Sequence, residues 1–516
     1  MNQPLRVTKW GPAGRACGGL VAAAALCSAA AGGAGVIDVG TRRQLFVDGS
    51  RIERRSGVEL TLHNPIAREV VLERDKPWEG ASLAYASVFR DGDRYRLYYR
   101  ASGSPPASGL KFWNYTATAE SGDGIHWTKP ELGIVSFAGS RRNNLVWPVR
   151  DNPGCEARPP AVHPLYCEGS DLFPFRDANP AAPADERYKT LANSNEYELI
   201  ALASPDGIRW RKLQDAPVIS YLPDDPMMDP PNLAFWDEVR QEYVAYLRTW
   251  LNFRIRGFRR STSKDFRHWS RPEYVDLGES EVEHLYTNMT VAYERAPGTY
   301  LMFAKRFLPW RKADPAYASS GLSEIVLLSS RDGLRFDRTF MEPFVPPGLD
   351  LANWHARGIM MGRGILATSP TELSLYYFEH YNTDSVRLRR ATIRPDGFVS
   401  ATAPFQGGEL TTPPLQFGGS ELALNYSTSV AGSIRVEVQD GNGRPVPGYR
   451  LEECDEIFGD ELDRVVSWRR GHADVVTEDR RELPYKPSDL GHALSGRAIR
   501  LRFVMKAADL FAFRFR

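Results

Sequence analysis

Strands with alternating apolar and polar positions recur along the chain and predict a repeated all-β structure. Five segments share one order: an apolar strand, a tight turn, an aromatic-rich strand, a third strand and an Asp-Gly turn. The alternation is clear in Arg94-Tyr-Arg-Leu-Tyr-Tyr-Arg100 and in Glu242-Tyr-Val-Ala-Tyr-Leu-Arg248. Successive side chains of a strand point to opposite faces of a sheet, so this pattern predicts half-buried strands.

The turn motif that separates the segments has the form Ser-x-Asp-Gly/Phe-x-x-aromatic. Its copies recur at intervals of roughly 60–80 residues, a spacing that suits repeated units with variable insertions. Four full copies and one shortened copy are Ser121–Trp127, Ser204–Trp210, Ser263–Trp269, Ser330–Phe336 and Pro395–Phe398. We expect Asp to bond the turn backbone, Gly to supply a positive φ, and the aromatic side chain to pack between units. Five such units predict a five-bladed β-propeller.

A change in composition near residue 405 predicts a second domain. Short strands such as Ser433–Val438 and Ala498–Val504 alternate with turns from there onward. About 110 residues of this kind suggest a β-sandwich. We therefore expect an all-β protein with a five-bladed β-propeller at 36–405 and a C-terminal β-sandwich at 406–516. The sandwich is expected to pack against the propeller, with sugar binding as the alternative.

The first 35 residues have the features of a signal peptide. A basic segment, an apolar stretch at Leu20–Ala31 and small residues at Ser28–Gly35 follow one another. The apolar stretch is shorter than the ~20 residues needed to span a bilayer. The sequence therefore predicts a secreted or periplasmic protein with a cleaved leader and no membrane span.

Cysteines are few, and we expect structural roles for them. Cys17 and Cys27 fall within the leader, and the leucine before Cys27 disfavours lipid attachment there. Cys155 and Cys167 are twelve residues apart, and in an oxidising compartment a loop-closing disulfide between them is plausible. Cys454 is then the odd cysteine and is expected to be buried.

Charge and composition exclude several classes of protein. The formal net charge is +1, with 42% hydrophobic and 25% charged residues, as in a chain that buries a sizeable core. A nucleic-acid-binding protein would show a basic excess, so no nucleic-acid partner is expected. Zinc-ligand spacing is absent from the sequence, and we expect neither a metal nor a cofactor.

The topology of a propeller predicts where the chemistry of this chain lies. Inner strands of successive blades start at one end of the central funnel, and the second strands end at that same face. Acidic residues near the inner-strand starts are Glu79, Asp171, Asp229 and Glu283. Basic residues after the second strands, or entering blade five, are Arg100, Arg248, Lys305, Arg306, His355, Arg357 and His380.

Carboxylates that converge in a polar funnel predict glycoside hydrolysis. One with a raised pKa protonates the leaving oxygen, and another activates water or attacks the anomeric carbon. Asp171 and Asp229 stand directly at predicted inner-strand starts, whereas Glu79 and Glu283 lie several residues away. We expect Asp171, Asp229 and at least one of the two glutamates to line one axial pocket.

The basic residues predict how the substrate is held. Bidentate guanidinium groups suit a carboxylate or a sulfate on a sugar. The predicted substrate-binding residues are Arg100, Arg248, Arg306, His355, Arg357 and His380. The alternative is that these arginines neutralise the carboxylates of the funnel and leave a pocket for neutral sugars.

Several short segments carry a resemblance to known proteins. They are Leu45-Phe-Val-Asp48, Phe235-Trp-Asp-Glu238, Glu283-His-Leu-Tyr-Thr287, Leu388-Arg-Arg390 and Asp396-Gly-Phe398. These segments resemble a group of secreted, mostly uncharacterised bacterial proteins. The layout as a whole resembles the five-bladed propeller enzymes of glycoside hydrolase families 32 and 43, which commonly carry a C-terminal β-sandwich. That resemblance implies a carbohydrate substrate.

The chain also departs from those families. Blade one offers Glu79 rather than an aspartate at the strand start, and the motifs N-D-P-N and R-D-P are absent from the sequence. Sialidases fit less well, because their aspartate motif has an extra residue between Asp and Gly. The sequence thus predicts a secreted glycoside hydrolase with paired carboxylates that acts on a poly- or oligosaccharide, with an acidic or sulfated sugar as one candidate substrate and a neutral sugar as the other. A non-catalytic glycan-binding propeller and a polysaccharide lyase with a Tyr or His base are the alternatives.

Overall fold

The part of the protein that the structure describes is all-β apart from one short α-helix and short 3-10 turns. The computed structural model describes residues 35–103, 114–147, 171–193, 198–220, 229–315, 321–355, 357–468, 490–494 and 496–516. Within these ranges the α-helix is Leu490–Leu494. Short 3-10 helices lie at Gly49–Arg51, Ala184–Glu186, Leu351–Asn353 and Leu451–Glu453. None of the described helices has the length and apolar character to cross a bilayer.

Five antiparallel sheets form the blades of a propeller, which confirms the fold predicted from the sequence. Blade 1 contains Ala84–Asp91, Arg94–Ala101, Tyr115–Ser121 and Leu145–Trp147. Blade 2 contains Phe175–Arg176, Tyr188–Asn193, Leu199–Ser204 and Arg211–Lys212. Blade 3 contains Leu233–Asp237, Glu242–Leu251, Ile255–Ser263 and Glu273–Tyr274. The described strands of blade 4 are Thr290–Ala292, Tyr300–Leu308 and Leu322–Ser330.

Blade 5 combines segments from both ends of the propeller. Its strands are Met360–Met361, Leu366–Ser369, Glu372–Glu379, Arg387–Ile393 and Ile66–Glu73. The last of these precedes blade 1 in the chain and pairs antiparallel with Arg387–Ile393. On the funnel side, the Val88 amide donates to the Arg363 carbonyl, and the Arg363 amide donates to Ala86, both at 2.8 Å. These contacts join blade 5 to blade 1 and close the ring.

The repeated Asp-Gly turns are built as their residue types predict. In the first copy the Gly124 amide donates to Ser121 Oγ at 2.8 Å, and the amides of Ile125 and His126 donate to Asp123 Oδ1 at 2.8 Å. The next three copies repeat these bonds at their own serine and aspartate. Gly124 has a φ of +74°, which glycine adopts without a side-chain clash. The structural role predicted for these turns is confirmed.

Three of these turns are each hydrogen-bonded to a buried tyrosine of the preceding blade. The second strands of the blades are Arg94–Ala101, Tyr188–Asn193, Glu242–Leu251, Tyr300–Leu308 and Glu372–Glu379. Three hydroxyls on these strands donate to glycine carbonyls of the next turn: Tyr98 to Gly207 at 2.7 Å, Tyr246 to Gly333 at 2.6 Å and Tyr376 to Gly124 at 2.5 Å. The motif aromatic rings pack nearby, as Trp127 does edge-on against Tyr376. The turn motif therefore fixes one blade against the next.

A ten-stranded sheet built from segments before and after the propeller in the chain is consistent with the predicted β-sandwich. Its strands are Ile37–Gly40, Gln44–Leu45, Arg54–Ser56, Glu59–Leu62, Val399–Ala403, Gly408–Thr411, Leu415–Phe417, Leu422–Asp440, Asp460–Val465 and Ile499–Phe515. The two longest strands pair with each other, and the register shifts between Thr428 and Ser433. Such a shift bends a long strand and lets one sheet curve over its own core.

The four strands before residue 63 belong to this second sheet. Arg54–Ser56 pairs with Gly408–Thr411, and Glu59–Leu62 pairs with Val399–Ala403. Phe46 and Val58 lie in the same buried apolar cluster as Phe503 and Phe513. The chain therefore begins its described part in the second sheet before it enters the propeller.

Cys454 is buried in this sheet region as a free thiol, as predicted. Burial raises the pKa of the Cys454 thiol to about 11. The Val436 amide donates to its Sγ at 3.2 Å. The predicted disulfide of Cys155 and Cys167 and the predicted leader lie outside the described residues.

Candidate active site

The starts of the inner strands and the ends of the second strands meet at one end of the funnel. Arg100, near the end of the second strand of blade 1, binds Asp171 at the entry to blade 2. Arg248 Nη1 lies 2.7 Å from Asp229 Oδ2. We call this region the axial site and define it by Tyr85, Arg100, Asp171, Asp229, Arg248, Arg256, Tyr286, Lys305, Arg357 and Tyr381. Each of the two ion pairs joins the late part of a second strand to the segment before an inner strand, the two kinds of position that propeller topology brings together.

Three residues of the axial site have left-handed backbone although they are not glycine. Tyr85, Asp171 and Arg357 have φ values of +56°, +58° and +68°. Each stands at the entry to an inner strand, of blades 1, 2 and 5 respectively. Such a conformation costs of order 1–3 kcal/mol per residue and persists where the surroundings over-determine it. The fold therefore holds these side chains in place at an energetic cost, as functional sites commonly do.

Asp171 and Arg100 form a bidentate ion pair. Arg100 Nη2 donates to Asp171 Oδ2 at 2.5 Å, and Arg100 Nε donates to Oδ1. The Asp171 side chain is fully buried, and the Arg100 guanidinium carbon lies 4.2 Å from the centre of the Tyr85 ring. Burial would lower the pKa of Arg100, but Asp171 raises it well above its ordinary value. Both carboxylate oxygens of Asp171 accept from Arg100, so the pair is suited to hold Arg100 in position.

Asp229 is the most exposed of the four predicted acids. Its side chain is 23% exposed, against 0% for Asp171 and Glu79 and 15% for Glu283. Its partner Arg248 is almost completely buried and also donates to the carbonyl of the next residue, Pro230, at 3.0 Å. Asp229 is therefore the predicted acid that a substrate in the funnel reaches most easily.

Glu79 is bound by groups of its own propeller unit. Tyr99 Oη donates to it at 2.6 Å, and Lys129 Nζ lies 2.7 Å from Oε1. The amides of Asp75 and Lys76 donate to Oε2 at 3.1 Å. Four donor groups thus surround a fully buried carboxylate, an arrangement that stabilises the segment before blade 1.

Glu283, in the segment before the inner strand of blade 4, lies between two arginines. Arg306 Nε donates to Glu283 Oε2 at 2.8 Å, and Arg338 Nη2 donates to Oε1. Arg306 also pairs with Glu324 at 2.8 Å. The described contacts of Glu283 and Arg306 belong to this network, whereas the neighbouring Lys305 faces the axial site.

The two predicted histidines lie together beside blade 5. His380 Nε2 lies 2.7 Å from Asp350 Oδ2, and Nδ1 lies 2.9 Å from Ser385 Oγ. His355 is buried, and its pKa is lowered by burial and then by the charge of His380. The His380 hydrogen bond lowers the pKa of Asp350. This histidine cluster is a group separate from the arginine pairs described above.

Tyr286 lies among cations contributed by separate strands. Arg357 Nη1 donates to Tyr286 Oη at 2.8 Å. The guanidinium carbons of Arg248 and Arg256 lie 4.3 Å and 4.8 Å from the centre of its ring, and Lys305 Nζ lies 5.5 Å away. Cations at these distances interact favourably with an aromatic face. A phenolate oxygen at this position would be stabilised further by their charge.

The charge of the axial site shifts the titration of its groups. Burial would raise the pKa of Tyr286, but Arg248, Arg357 and Arg256 lower it below its ordinary value. Lys305 is completely buried, and burial, followed by Arg357 and Arg248, lowers its pKa well below the usual range. Groups with such displaced pKa values are candidates for acid–base chemistry.

Aromatic side chains border the axial site. The guanidinium carbon of Arg256 lies 4.3 Å from the Trp250 ring and 5.3 Å from the Phe307 ring. Phe253 is 57% exposed, and Trp310 is 69% exposed. Both follow second strands, so topology puts them at the rim of the same face.

Comparisons with known proteins identify similar folds. No protein-family model matches the chain, and no curated protein matches it. Similar solved structures include a glycoside hydrolase, with 14% identity, a TM-score of 0.44, and coverage of 65% of this chain and 93% of that chain. They also include a β-1,2-mannobiose phosphorylase from Listeria innocua, with 11% identity, a TM-score of 0.39, and coverage of 63% of this chain and 97% of that chain. An N-acetylgalactosamine deacetylase from F. plautii has 14% identity, a TM-score of 0.40, and coverage of 66% of this chain and 97% of that chain.

Several of these similar structures are glycoside hydrolases or related enzymes by name, and the resemblance to families 32 and 43 stays a prediction. The function proposed below rests on the contacts of the axial site. Within the described ranges, the side chains of His, Cys, Asp and Glu form no group of three or more that could hold a metal ion.

Three aromatic residues and one arginine of the axial site were missed by the sequence prediction. Tyr85 is the second residue of the inner strand of blade 1, and Tyr286 precedes the inner strand of blade 4; the prediction at these two blades considered acids alone. Tyr381 follows the second strand of blade 5, beside the predicted His380. Arg256 starts the third strand of blade 3 and reaches the site by stacking on Trp250. A search for all polar and aromatic residues at these topological positions would have found the tyrosines.

Proposed function

We propose that the protein is a carbohydrate-active enzyme that binds and cleaves an anionic glycan in the axial site. The observation that carries this proposal is an excess of guanidinium groups over carboxylates. Within the described axial site, four arginines face two aspartates: Arg100, Arg248, Arg256 and Arg357 against Asp171 and Asp229. An anionic group on the substrate would offset this excess.

Arg256 shows the effect of the excess most clearly. Burial and then the positive charge of Arg248 lower its pKa, with a further contribution from Arg357. Its Nε is buried and has no hydrogen-bond partner among the described residues. A carboxylate or sulfate would supply that partner and relieve the repulsion between like charges. A hydrogen bond to a charged group contributes about 1.5–3 kcal/mol, which corresponds to tenfold or more in affinity.

The border of the site fits a sugar. Aromatic rings offer flat apolar surface, and the polar groups of the funnel offer hydrogen bonds, the combination found in ligand pockets. Trp250 and Trp310 would face the apolar side of a sugar ring while the arginines bind its anionic group. Export belongs to the same proposal, because the basic and apolar leader at 1–35 supports it.

Two modes of bond cleavage fit an anionic glycan. For hydrolysis, Asp229 is the acid that supports the predicted paired-carboxylate mechanism best, because its side chain is the most exposed of the four. For elimination, the observation in favour is that cations surround Tyr286, because they stabilise the phenolate that would act as the base. A non-catalytic binding role is favoured by the ion pairs of Asp171 and Glu283.

A glycan panel tests the proposal. Purified protein is incubated with matched neutral, uronate-containing and sulfated oligosaccharides, and products are detected by mass spectrometry. We expect products from the anionic members at a rate at least ~10-fold above the neutral ones. Equal turnover of neutral and anionic glycans would overturn the anionic preference, and tight binding without products would establish the binding role instead.

The variant Arg256→Ala tests the role of the excess charge. We expect KM for an anionic glycan to rise ~10-fold or more, because one charge-assisted contact is removed, while kcat/KM for neutral glycans changes little. Arg142→Ala is the matched control, since Arg142 pairs with Glu131 on the exposed surface. An unchanged KM in Arg256→Ala would contradict the proposed binding mode.

A further inference from the structure

Tyr286 is held rigidly at the entry to blade 4. Its amide donates to the Lys305 carbonyl at 2.7 Å, and its ring packs edge-on against Phe307 with the ring centres 5.4 Å apart. Its side chain is 7% exposed, and its hydroxyl accepts from Arg357. A phenol in this position has a fixed orientation, which acid–base catalysis requires.

The cations around Tyr286 favour its deprotonated form. Arg248, Arg256 and Arg357 all lie within 5.5 Å of its ring centre by their guanidinium carbons. Their effect exceeds that of burial, so the pKa of Tyr286 is lowered, whereas burial raises the pKa of the neighbouring Tyr85 well above its ordinary value. The pKa values of the two tyrosines are therefore displaced in opposite directions.

Three of the four predicted acids are held by hydrogen bonds or ion pairs, so acid–base catalysis would fall to another group. Asp171 accepts through both oxygens from Arg100, Glu79 accepts from four donor groups, and Glu283 lies between two arginines. Asp229 is the remaining acid and lies 2.7 Å from Arg248. Of the four predicted acids, Asp229 alone is placed for a mechanism that needs two carboxylates.

We infer that Tyr286 is the catalytic base, and then the catalytic acid, of a β-elimination that cleaves uronate-containing glycans. This inference rests on the proposed function, since it names the substrate class and the reaction of the same site. The anion is a carboxylate rather than a sulfate ester, because a carboxylate acidifies the C–H bond beside it. Arg248 and Arg256 are placed to bind that carboxylate and neutralise the charge that develops on it.

The proposed step balances without water or a cofactor. The phenolate of Tyr286 takes the proton from the carbon next to the uronate carboxylate. The electron pair of that C–H bond forms a carbon–carbon double bond, and the C–O bond to the neighbouring sugar breaks. The glycosidic oxygen leaves with its electron pair and takes the proton back from the Tyr286 phenol. The products are an unsaturated uronate and a new hydroxyl end.

The first test is the mass and the ultraviolet absorption of the products from polygalacturonate, alginate and chondroitin sulfate. Elimination gives fragments whose masses sum to that of the substrate, with the absorption of a conjugated double bond. Fragments that have gained one water molecule per cleavage would overturn the inference and leave the proposed function intact. Absence of both binding and cleavage for every anionic glycan would overturn the proposed function itself.

The second test uses Tyr286→Phe, with Tyr95→Phe as the matched control, because Tyr95 lies at the opposite end of its strand from Arg100 and its hydroxyl donates to the Ala367 carbonyl. We expect kcat on a uronate glycan to fall ~100-fold or more in Tyr286→Phe, with KM nearly unchanged, because general acid–base catalysis contributes 10²–10⁴-fold. The control should keep its kcat. Retention of kcat in Tyr286→Phe would overturn the inference.

A third measurement is independent of turnover. The difference ultraviolet spectrum between the wild type and Tyr286→Phe is recorded as the pH is raised. We expect a phenolate signal that appears below pH 10, the pKa of an ordinary tyrosine being about 10. A difference signal that appears only at or above that value would contradict the role assigned to the cations.

Discussion

The charge state of a single tyrosine depends on arginines from separate strands. Arg357 makes the direct contact, since its Nη1 donates to Tyr286 Oη at 2.8 Å. Burial would lower the pKa of Arg357, but Tyr286 raises it, and Arg357 in turn lowers that of Tyr286. Each group thus favours the charged form of the other.

We expect Arg357→Gln to move the pH dependence of turnover to higher pH. A base acts in its deprotonated form, so the rate rises as the pH increases through the pKa of Tyr286 and is constant above it. Removal of the Arg357 charge raises that pKa, and the rising limb therefore shifts to more alkaline pH. A kcat/KM profile on a uronate glycan measures the shift. A rising part of the profile at the same pH as in the wild type would show that Arg357 does not lower the pKa of Tyr286.

Asp396 is a second buried charge, and its role is structural. It accepts from Tyr293 Oη at 2.8 Å, from Arg295 Nε at 2.9 Å and from Asn425 Nδ2 at 3.0 Å, and it pairs with Arg43 at 3.3 Å. These partners come from blade 4, from the segment before the propeller and from the second sheet. We expect Asp396→Asn to lower the free energy of unfolding by about 3–5 kcal/mol, because the buried arginines lose their counter-charge.

The loss in Asp396→Asn should depend on pH. Burial would raise the pKa of Asp396, but the Arg295 hydrogen bond and the Arg43 charge lower it. Its stabilisation is then fully present above the unfolded value of about 3.9 and is lost as the pH falls through the folded value. Urea denaturation of the wild type and the variant at neutral and acidic pH should show curves that converge in acid. Asp93→Asn, at an almost fully exposed side chain, is the control and should leave stability unchanged.

At the scale of the elements, the turn motif and the second-strand tyrosine act together. The motif gives each turn an internal hydrogen-bond network, and the tyrosine ties the turn to the preceding blade. This pairing explains why an aromatic-rich strand and an Asp-Gly turn recur together along the sequence.

We expect Tyr246→Phe to lower the free energy of unfolding by about 1–3 kcal/mol, because the buried Gly333 carbonyl loses its donor. Chemical denaturation measures the change, and Tyr95→Phe is the comparison: its hydroxyl donates to the Ala367 carbonyl at an exposed position, where water replaces the donor, so this variant should lose less stability. A second site, Tyr98→Phe, should show a loss of similar size, since its hydroxyl makes the equivalent contact with Gly207. If neither variant lowers the free energy of unfolding, the hydrogen bonds from these tyrosines to the turns do not stabilise the protein.

The sequence predicted the features that local patterns encode. The Asp123 turn was predicted in detail because its hydrogen bonds join residues within three positions of each other. The meeting of Arg100 with Asp171 was predicted because propeller topology brings strand starts and ends together. Tyr286 was missed as a functional group because its properties depend on Arg248, Arg256 and Arg357, and no local pattern relates them.

The strands before residue 63 were also missed in their pairing. Arg54–Ser56 is entirely exposed, so it lacks the alternation that predicts a half-buried strand. Its partner Gly408–Thr411 lies on the far side of the propeller in the chain. Pairing at this separation leaves no periodic signal in either segment, and the sequence could not connect them.

At the scale of the whole molecule, the strand Ile66–Glu73 has a consequence for how the protein folds. Arg390 Nε donates to Glu69 Oε2 across 321 residues of sequence, and Arg43 reaches Asp463 across 420. The entropy of closing such loops grows slowly with their length, so the finished ring loses little stability. Contacts of high sequence separation nevertheless make folding slow.

A growing chain exposes the edge of Ile66–Glu73 until Arg387–Ile393 has been made, and an unpaired edge is prone to pair with other chains. The strand Ile66–Glu73, which is synthesised before blade 1, therefore gains its partner strand only when the last part of the propeller has been synthesised.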